Sequence, residues 1–269
     1  MRIQGYLHEN RGVGIRDIQL ILPSVVCSTH VSKKIADAVG AKTFAHNTGC
    51  GIIGSDVPGI AEFFGELANH PNVSSVLIVG LGCETIQGNE LADQLLSKNK
   101  STKYLVIQES GGMGATLEKG SAAARALANE FPVKRGELDQ LVVGIEAATD
   151  LARAEHISKE LSANGIKVVS ATDAKTGTNF TELMKQGAHL IISFVASDQP
   201  PTGYPLIPVI NIPSSSPLHL AIEQDFDLPF NADVNEILNL IEKVASGEKT
   251  KAENLAIGEI FAPRVVRSA

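Results

Sequence analysis

The sequence predicts an α/β fold: two Rossmann-like halves whose largely parallel sheets are covered by helices. Short β-branched apolar runs alternate with amphipathic stretches along the whole chain, the pattern of βαβ units. Hydrophobic residues make up 43% of the 269 residues, yet aromatics only 4%, with no Trp. The core must therefore be built from Val, Ile, Leu and Ala, as in sheets buried on both faces. Glycine-rich segments follow the apolar runs, where an open parallel sheet binds its ligands.

Taken in order, residues 18–26 read as a first strand and 28–39 as a helix with Ser28 at its N-cap. A short strand follows at 42–45. The helix at 58–69 has Pro58 in its first turn. A buried strand at 74–79 leads to a helix at 89–98. The strand at 103–108 precedes a long Ala-rich helix at 115–130, and 141–145 is the next strand. The pattern then restarts, which suggests an N-terminal domain over 1–145 and a C-terminal domain over 146–269. In the second half, 151–163 is helical and Gly165 ends it. Strands at 167–169, 189–194 and 206–212 flank a helix at 180–186. A helix at 234–245 and a last strand near 257–261 complete the chain. Residues 197–216 are rich in Pro, Gly and Ser, a loop composition that would also suit a lid.

The formal net charge of −7 and the lack of a basic cluster argue against a nucleic-acid backbone as partner. No apolar run is long enough to span a membrane, and the first residues lack the apolar stretch of a signal peptide. Three cysteines are too few for a disulfide framework. A cytoplasmic protein with reduced thiols and no membrane partner is the expectation.

The polar chemistry concentrates after the strands: Pro23 to Ser28, His46 to Gly51, Gly80 to Glu84, and Gln108 to Gly112. All three cysteines lie in these segments. Cys27 reads equally well as a small buried apolar side chain or as part of a site. Cys50 and Cys83, beside glycines and polar neighbours, read as site residues. His46, four residues before Cys50, reads as a ligand or base, against the alternative of a hydrogen-bonded structural histidine. Gly111-Gly112 before a helix suits either an anion at the helix N-terminus or an ordinary tight turn. Neither glycine stretch matches a dinucleotide fingerprint or a phosphate loop. A histidine, thiolates and a carboxylate together suit Fe²⁺ or Zn²⁺, assembled from separate loops because no CxxC pair is present. Elimination of water from a 2-hydroxy acid needs a base beside the carboxylate-bearing carbon, which His46 or Glu84 would supply.

These segments in this order, from Arg11-Gly12-Val13-Gly14-Ile15-Arg16-Asp17 through Leu22 to Ser28, His46 to Gly51, His70-Pro71-Asn72, Gly80 to Glu84 and Gln108 to Gly112, resemble the altronate/galactarate dehydratase family. That family includes the large subunit of sulfolactate sulfo-lyase. The resemblance implies a lyase acting on a sugar acid with a divalent metal, iron first, with manganese or zinc as alternatives. It implies Cys27, His46, Cys50 and Cys83 as metal candidates, and His46, Glu84 and Cys50 as catalytic candidates. Gln108, Ser110, Gly111 and Gly112 would position substrate. Arg16 would pair with a substrate carboxylate, its fork geometry suiting one, or equally form a surface ion pair. Family members usually carry a small N-terminal domain or separate small subunit, so a small partner subunit is expected, and a homo-oligomer is compatible. Beyond residue 140 the likeness is loose, concentrated in His189 to Pro213. At Gly144-Ile145-Glu146-Ala147-Ala148-Thr149-Asp150 the chain departs from the family's cysteine-containing motif. A non-catalytic sugar-acid-binding homologue and a carbon–sulfur lyase subunit are the competing readings.

Overall fold

A computed structural model describes residues 2–46, 56–172, 177 and 179–262. In chain order the elements are β1 Gln4–His8, β2 Gly12–Gly14, β3 Ile18–Pro23, α1 Thr29–Val39, α2 Asp56–Asn69, β4 Val73–Gly80, α3 Gly88–Leu96, β5 Thr102–Val106, α4 Ile107–Ser110 and α5 Met113–Glu130. Then come β6 Lys134–Glu137, β7 Val142–Ala147, α6 Leu151–Ala163, β8 Lys167–Ala171, α7 Phe180–Lys185, β9 Leu190–Val195, β10 Val209–Pro213, α8 Ser216–Ala221, α9 Val234–Ala245 and α10 Lys251–Leu255. The fold is α/β, with parallel sheets flanked by helices. No described helix is long and apolar enough to cross a membrane.

The chain divides into two compact units. One comprises Leu7–Gly12, Asp17–Lys134 and Ile260–Ala269; the other comprises Met1–Tyr6, Val13–Arg16 and Arg135–Glu259. The division after Lys134 differs from the one expected after residue 145. The reason is that β7 pairs on both edges within the second unit, with β8 and β9.

The N-terminal unit is built on a parallel sheet in the order β3-β4-β5. Central β4 is buried along nearly all its length, as a strand covered on both faces must be. Ile21, Leu77 and Val79 pack with Val31 and Ile35 of α1 and with Ala124 and Leu127 of α5. Gly120 of α5 lets the helices approach: a Cβ there would collide with Ile35 Cδ1. Arg11 is buried, its Nε donating to Ala68 O (2.7 Å) and its Nη1 to Ser101 Oγ (2.6 Å). These acceptors tie the entry of the chain to the amino edge of the sheet.

The C-terminal unit holds a four-stranded parallel sheet in the order β10-β9-β7-β8. Its core joins Ile3 and Ile15 from the start of the chain to Val143, Ile145, Ile192, Phe194, Ile210 and Ile212, covered by Ile237 and Ile241 of α9. Both α9 and α10 begin with reciprocal capping boxes, Asp233 with Glu236 and Thr250 with Glu253.

Several expected elements differ. Only Lys42 of the 42–45 stretch pairs, through a single bridge to Leu20. Residues 107–108 open the short helix α4 instead of extending β5. Strand β10 starts at Val209 because Tyr204 and Ile207 close a separate turn. The final strand near 257–261 does not form: Gly258 takes φ +104° and lies against Gly203, where neither glycine has room for a Cβ. The sheet β2-β1-β6 was not foreseen.

Candidate functional site

In the N-terminal unit, parallel pairing brings the ends of β3 and β4 side by side, Pro23 against Val79. The loop after β3 turns back through Ser24, whose N–H donates to Val79 O (3.1 Å). Ser24 Oγ also lies 2.9 Å from Glu84 Oε1. Glu84, on the loop after β4, is 1% exposed. Its Oε1 also accepts Leu81 N–H (3.2 Å), and its Oε2 accepts Gly82 N–H (2.6 Å). A buried carboxylate is tolerated only when its lone pairs are met by donors, and here its own loop supplies two of them. Gly82 takes φ +116°, and a Cβ there would come within 2.7 Å of Gln108 Oε1. Gln108 N–H donates to Leu81 O (3.2 Å). Ser24, Glu84 and Gln108 therefore belong to one hydrogen-bonded cluster at the carboxyl edge of the sheet.

Tyr104 joins this cluster from β5. A Cβ on Gly80 would collide with Glu84 Oε1 and come within 2.9 Å of Tyr104 Oη, so both oxygens occupy the space over one glycine. Gly88, at the start of α3, gives the ring its other wall. Burial, then the carboxylates of Glu84 and Glu109, push the Tyr104 phenol up to about 12, against the opposing hydrogen bond from the Asn89 backbone. Sequence reading missed Tyr104 because, in strand alternation, it looks like any half-buried aromatic.

The remaining predicted residues fall as follows. Cys27 and Cys83 are exposed, which removes the reading of Cys27 as a buried apolar side chain. Ser28 does not cap α1 with its side chain; its Oγ donates back to Val25 O. Ser110 Oγ donates to Val106 O (2.6 Å) within its own short helix. Gly111 and Gly112 take φ +96° and +94°, turning the backbone into α5, whose N-cap Gly112 offers no side-chain cap. His46 is 1% exposed, its ring 5.3 Å edge-on from that of Phe64. Burial pushes its imidazole down to about 4, so it is neutral at pH 7. Its backbone N–H is tied to Thr29 Oγ1 at the head of α1. Cys50 lies outside the described residues.

Arg16 belongs to the C-terminal unit. Its Nε and Nη2 form a two-pronged pair with Glu253 (2.7 and 2.8 Å), and it donates to Ile15, Val244 and Glu248 carbonyls. Its fork is already engaged by a protein carboxylate. That unit holds its own buried carboxyl, which sequence reading passed over as a departure from the family motif. Glu146 on β7 accepts Gly177 N–H (2.8 Å), Asn179 N–H (3.1 Å) and Ser193 Oγ–H (2.9 Å). Burial pushes its carboxyl up.

A neutral imidazole and exposed thiols are the right donor chemistry for a transition metal. Among the described residues, however, no group of three or more His, Cys, Asp or Glu is close enough to hold an ion. The described donors do not by themselves make a metal centre.

Residues 5–131 match the family model of the D-galactarate dehydratase/altronate hydrolase second domain. Over this stretch the chain is similar to that family's second domain. All the strand-end loops of the N-terminal unit fall inside the matched dehydratase domain. Among curated relatives, the altronate dehydratase of Escherichia coli (strain K12) is 27% identical over 159 residues, covering 54% of this chain and 32% of the relative. The altronate dehydratase of Bacillus subtilis (strain 168) is 25% identical over 158 residues, covering 53% and 31%. The chain thus spans about a third of the length of these dehydratases.

Proposed function

We propose that this chain is a hydro-lyase acting on a sugar acid such as altronate or galactarate, or the large subunit of such an enzyme. One observation carries the reading: the dehydratase-domain match covers the loops that assemble the buried Ser24–Glu84 cluster at the carboxyl edge of a parallel sheet. In this reading the substrate carboxylate lies at the uncapped N-terminus of α5, where backbone N–H groups and the helix dipole favour an anion. Gln108 hydrogen-bonds substrate hydroxyls. Glu84 takes the proton from the carbon beside the carboxylate. Among the described residues its Oε2 accepts one hydrogen bond, from Gly82, which leaves a lone pair for that proton. The Ser24 hydroxyl orients the carboxylate from its other oxygen.

A divalent metal, iron first, is part of the proposal, with Cys27, His46, Cys50 and Cys83 as its candidate ligands; no step above depends on it. So are a small partner subunit and a cytoplasmic setting. The test is a panel of hexonates and hexarates assayed anaerobically for 2-keto-3-deoxy product, with and without Fe²⁺. Metal content is measured in the wild type, His46→Ala and Cys50→Ser. Product that falls by about 10²-fold or more in Glu84→Gln supports the reading. Thermal stabilisation by a sugar acid without turnover would replace it with a binding protein. Neither turnover nor stabilisation would refute both.

A further inference from the structure

The Ser24–Glu84 cluster is sealed from solvent at both of those residues, each 1% exposed. Tyr104, beside them, is partly exposed, and Gln108 is exposed. The Tyr104 Oη lies over the Gly80 Cα, beside Glu84 Oε1, and accepts the Asn89 N–H. Gly80 and Gly88 are the devices that make this arrangement, since a Cβ at either would strike the tyrosine or the carboxylate it faces.

Resting on the hydro-lyase reading, we propose that Tyr104 is the acid of the elimination, giving its phenolic proton to the departing hydroxyl group while Glu84 serves as base. The electron pair of the C2–H bond becomes the C2=C3 double bond as Glu84 takes the proton. The C3–O bond breaks with its pair on oxygen, and the proton from Tyr104 Oη turns the leaving hydroxide into water. The enol so formed tautomerises to the 2-keto-3-deoxy acid, and the phenolate regains a proton from the one Glu84 removed, by way of solvent. Nothing is oxidised or reduced, and the products are the keto acid and water. The match of acidities favours the step. A phenol held at about 12 is fully protonated at neutral pH, yet is a stronger acid than water, so transfer to hydroxide runs downhill.

The experiment compares leaving groups. Tyr104→Phe keeps the ring between Gly80 and Gly88 and removes only the hydroxyl; its thermal unfolding is measured beside the wild type to establish that it folds. Both proteins are assayed on altronate and on its 3-deoxy-3-fluoro analogue. Fluoride leaves without a proton, so it does not need the acid. The expected result is a fall of about 10²-fold or more in kcat for water release, an unchanged KM, and fluoride release within a few-fold of wild type. Equal losses for both leaving groups would make Tyr104 a merely structural residue and overturn the assignment, as would unchanged water release. Wild type that releases fluoride but no water would also overturn it. Wild type that releases neither would remove the hydro-lyase reading itself, and this assignment with it.

Discussion

Acid should pull the C-terminal unit in two directions at once. His189 is buried, and its Nδ1 accepts the Val142 N–H (3.1 Å); burial pushes it down to about 4. A folded value below the unfolded ~6.5 means that the unfolded chain binds more protons between those values, so stability is lost as pH falls. The loss is about 2 kcal/mol from pH 7 to 5 and about 3 by pH 4. Asp227 works oppositely. Burial pushes it up to about 6, despite hydrogen bonds from the Asn211 and Lys251 backbones. The folded state now binds the extra proton, so stability is present at low pH and lost as pH rises through about 6. Acidification from pH 7 to 5 returns about 1 kcal/mol, and about 2 by pH 4. The two slopes oppose one another and partly cancel in the wild type. His189→Asn retains an acceptor for Val142 and exposes the Asp227 slope; Asp227→Asn exposes the His189 slope. Urea unfolding at pH 7 and 5 should show the wild-type-minus-variant difference shrinking in acid for His189→Asn and growing for Asp227→Asn. Lost packing adds the same offset at each pH and leaves the trend intact. Differences that stay constant between the two pH values for both variants would refute the argument.

Glu84→Gln removes a charge that three donors address and turns an amide against one of them, so the N-terminal unit should lose about 2–4 kcal/mol in urea unfolding. Gly80→Ala, driving a Cβ into Glu84 and Tyr104, should cost about 1–3 kcal/mol by the same measurement. Gly65→Ala in α2, where nothing lies within 4 Å of the new methyl, should instead raise stability by about 0.5–1 kcal/mol. Arg16→Lys surrenders the two-pronged grip on Glu253 and most of the carbonyl contacts, and should cost about 2–3 kcal/mol.

What the sequence made legible was whatever burial writes as a run of apolar residues. The strand at 189–194 was visible because both faces of β9 are covered, and the helix at 234–245 because its apolar stripe repeats at helical spacing. Strand β6, Lys-Arg-Gly-Glu, has no apolar face and left no signal. The glycine loops marked the carboxyl edge of the sheet, and with it Glu84. Its partners were hidden for different reasons. Ser24 lies inside the quoted Leu22–Ser28 segment, but nothing there sets it apart from its neighbours, and Tyr104 meets Glu84 only because strand register sets β5 against β4. Arg16 illustrates the converse: a residue type suited to a substrate carboxylate is equally suited to Glu253, 237 positions away, which no local pattern announces.

The interleaving of the units carries a consequence for how the chain comes to be folded. Ile3 and Ile15 belong to the C-terminal core, yet more than a hundred residues separate them from Leu141 and the rest of that core. At roughly 5–20 residues per second, synthesis leaves these two side chains without their partners for on the order of ten seconds. Residues 17–134 complete their own sheet in that interval. The early strand is therefore a waiting piece, and a ribosome-bound chain stalled about 40 residues past Lys134, so that α5 has left the exit tunnel, should protect residues 17–134 from protease while residues 2–6 remain open to cleavage.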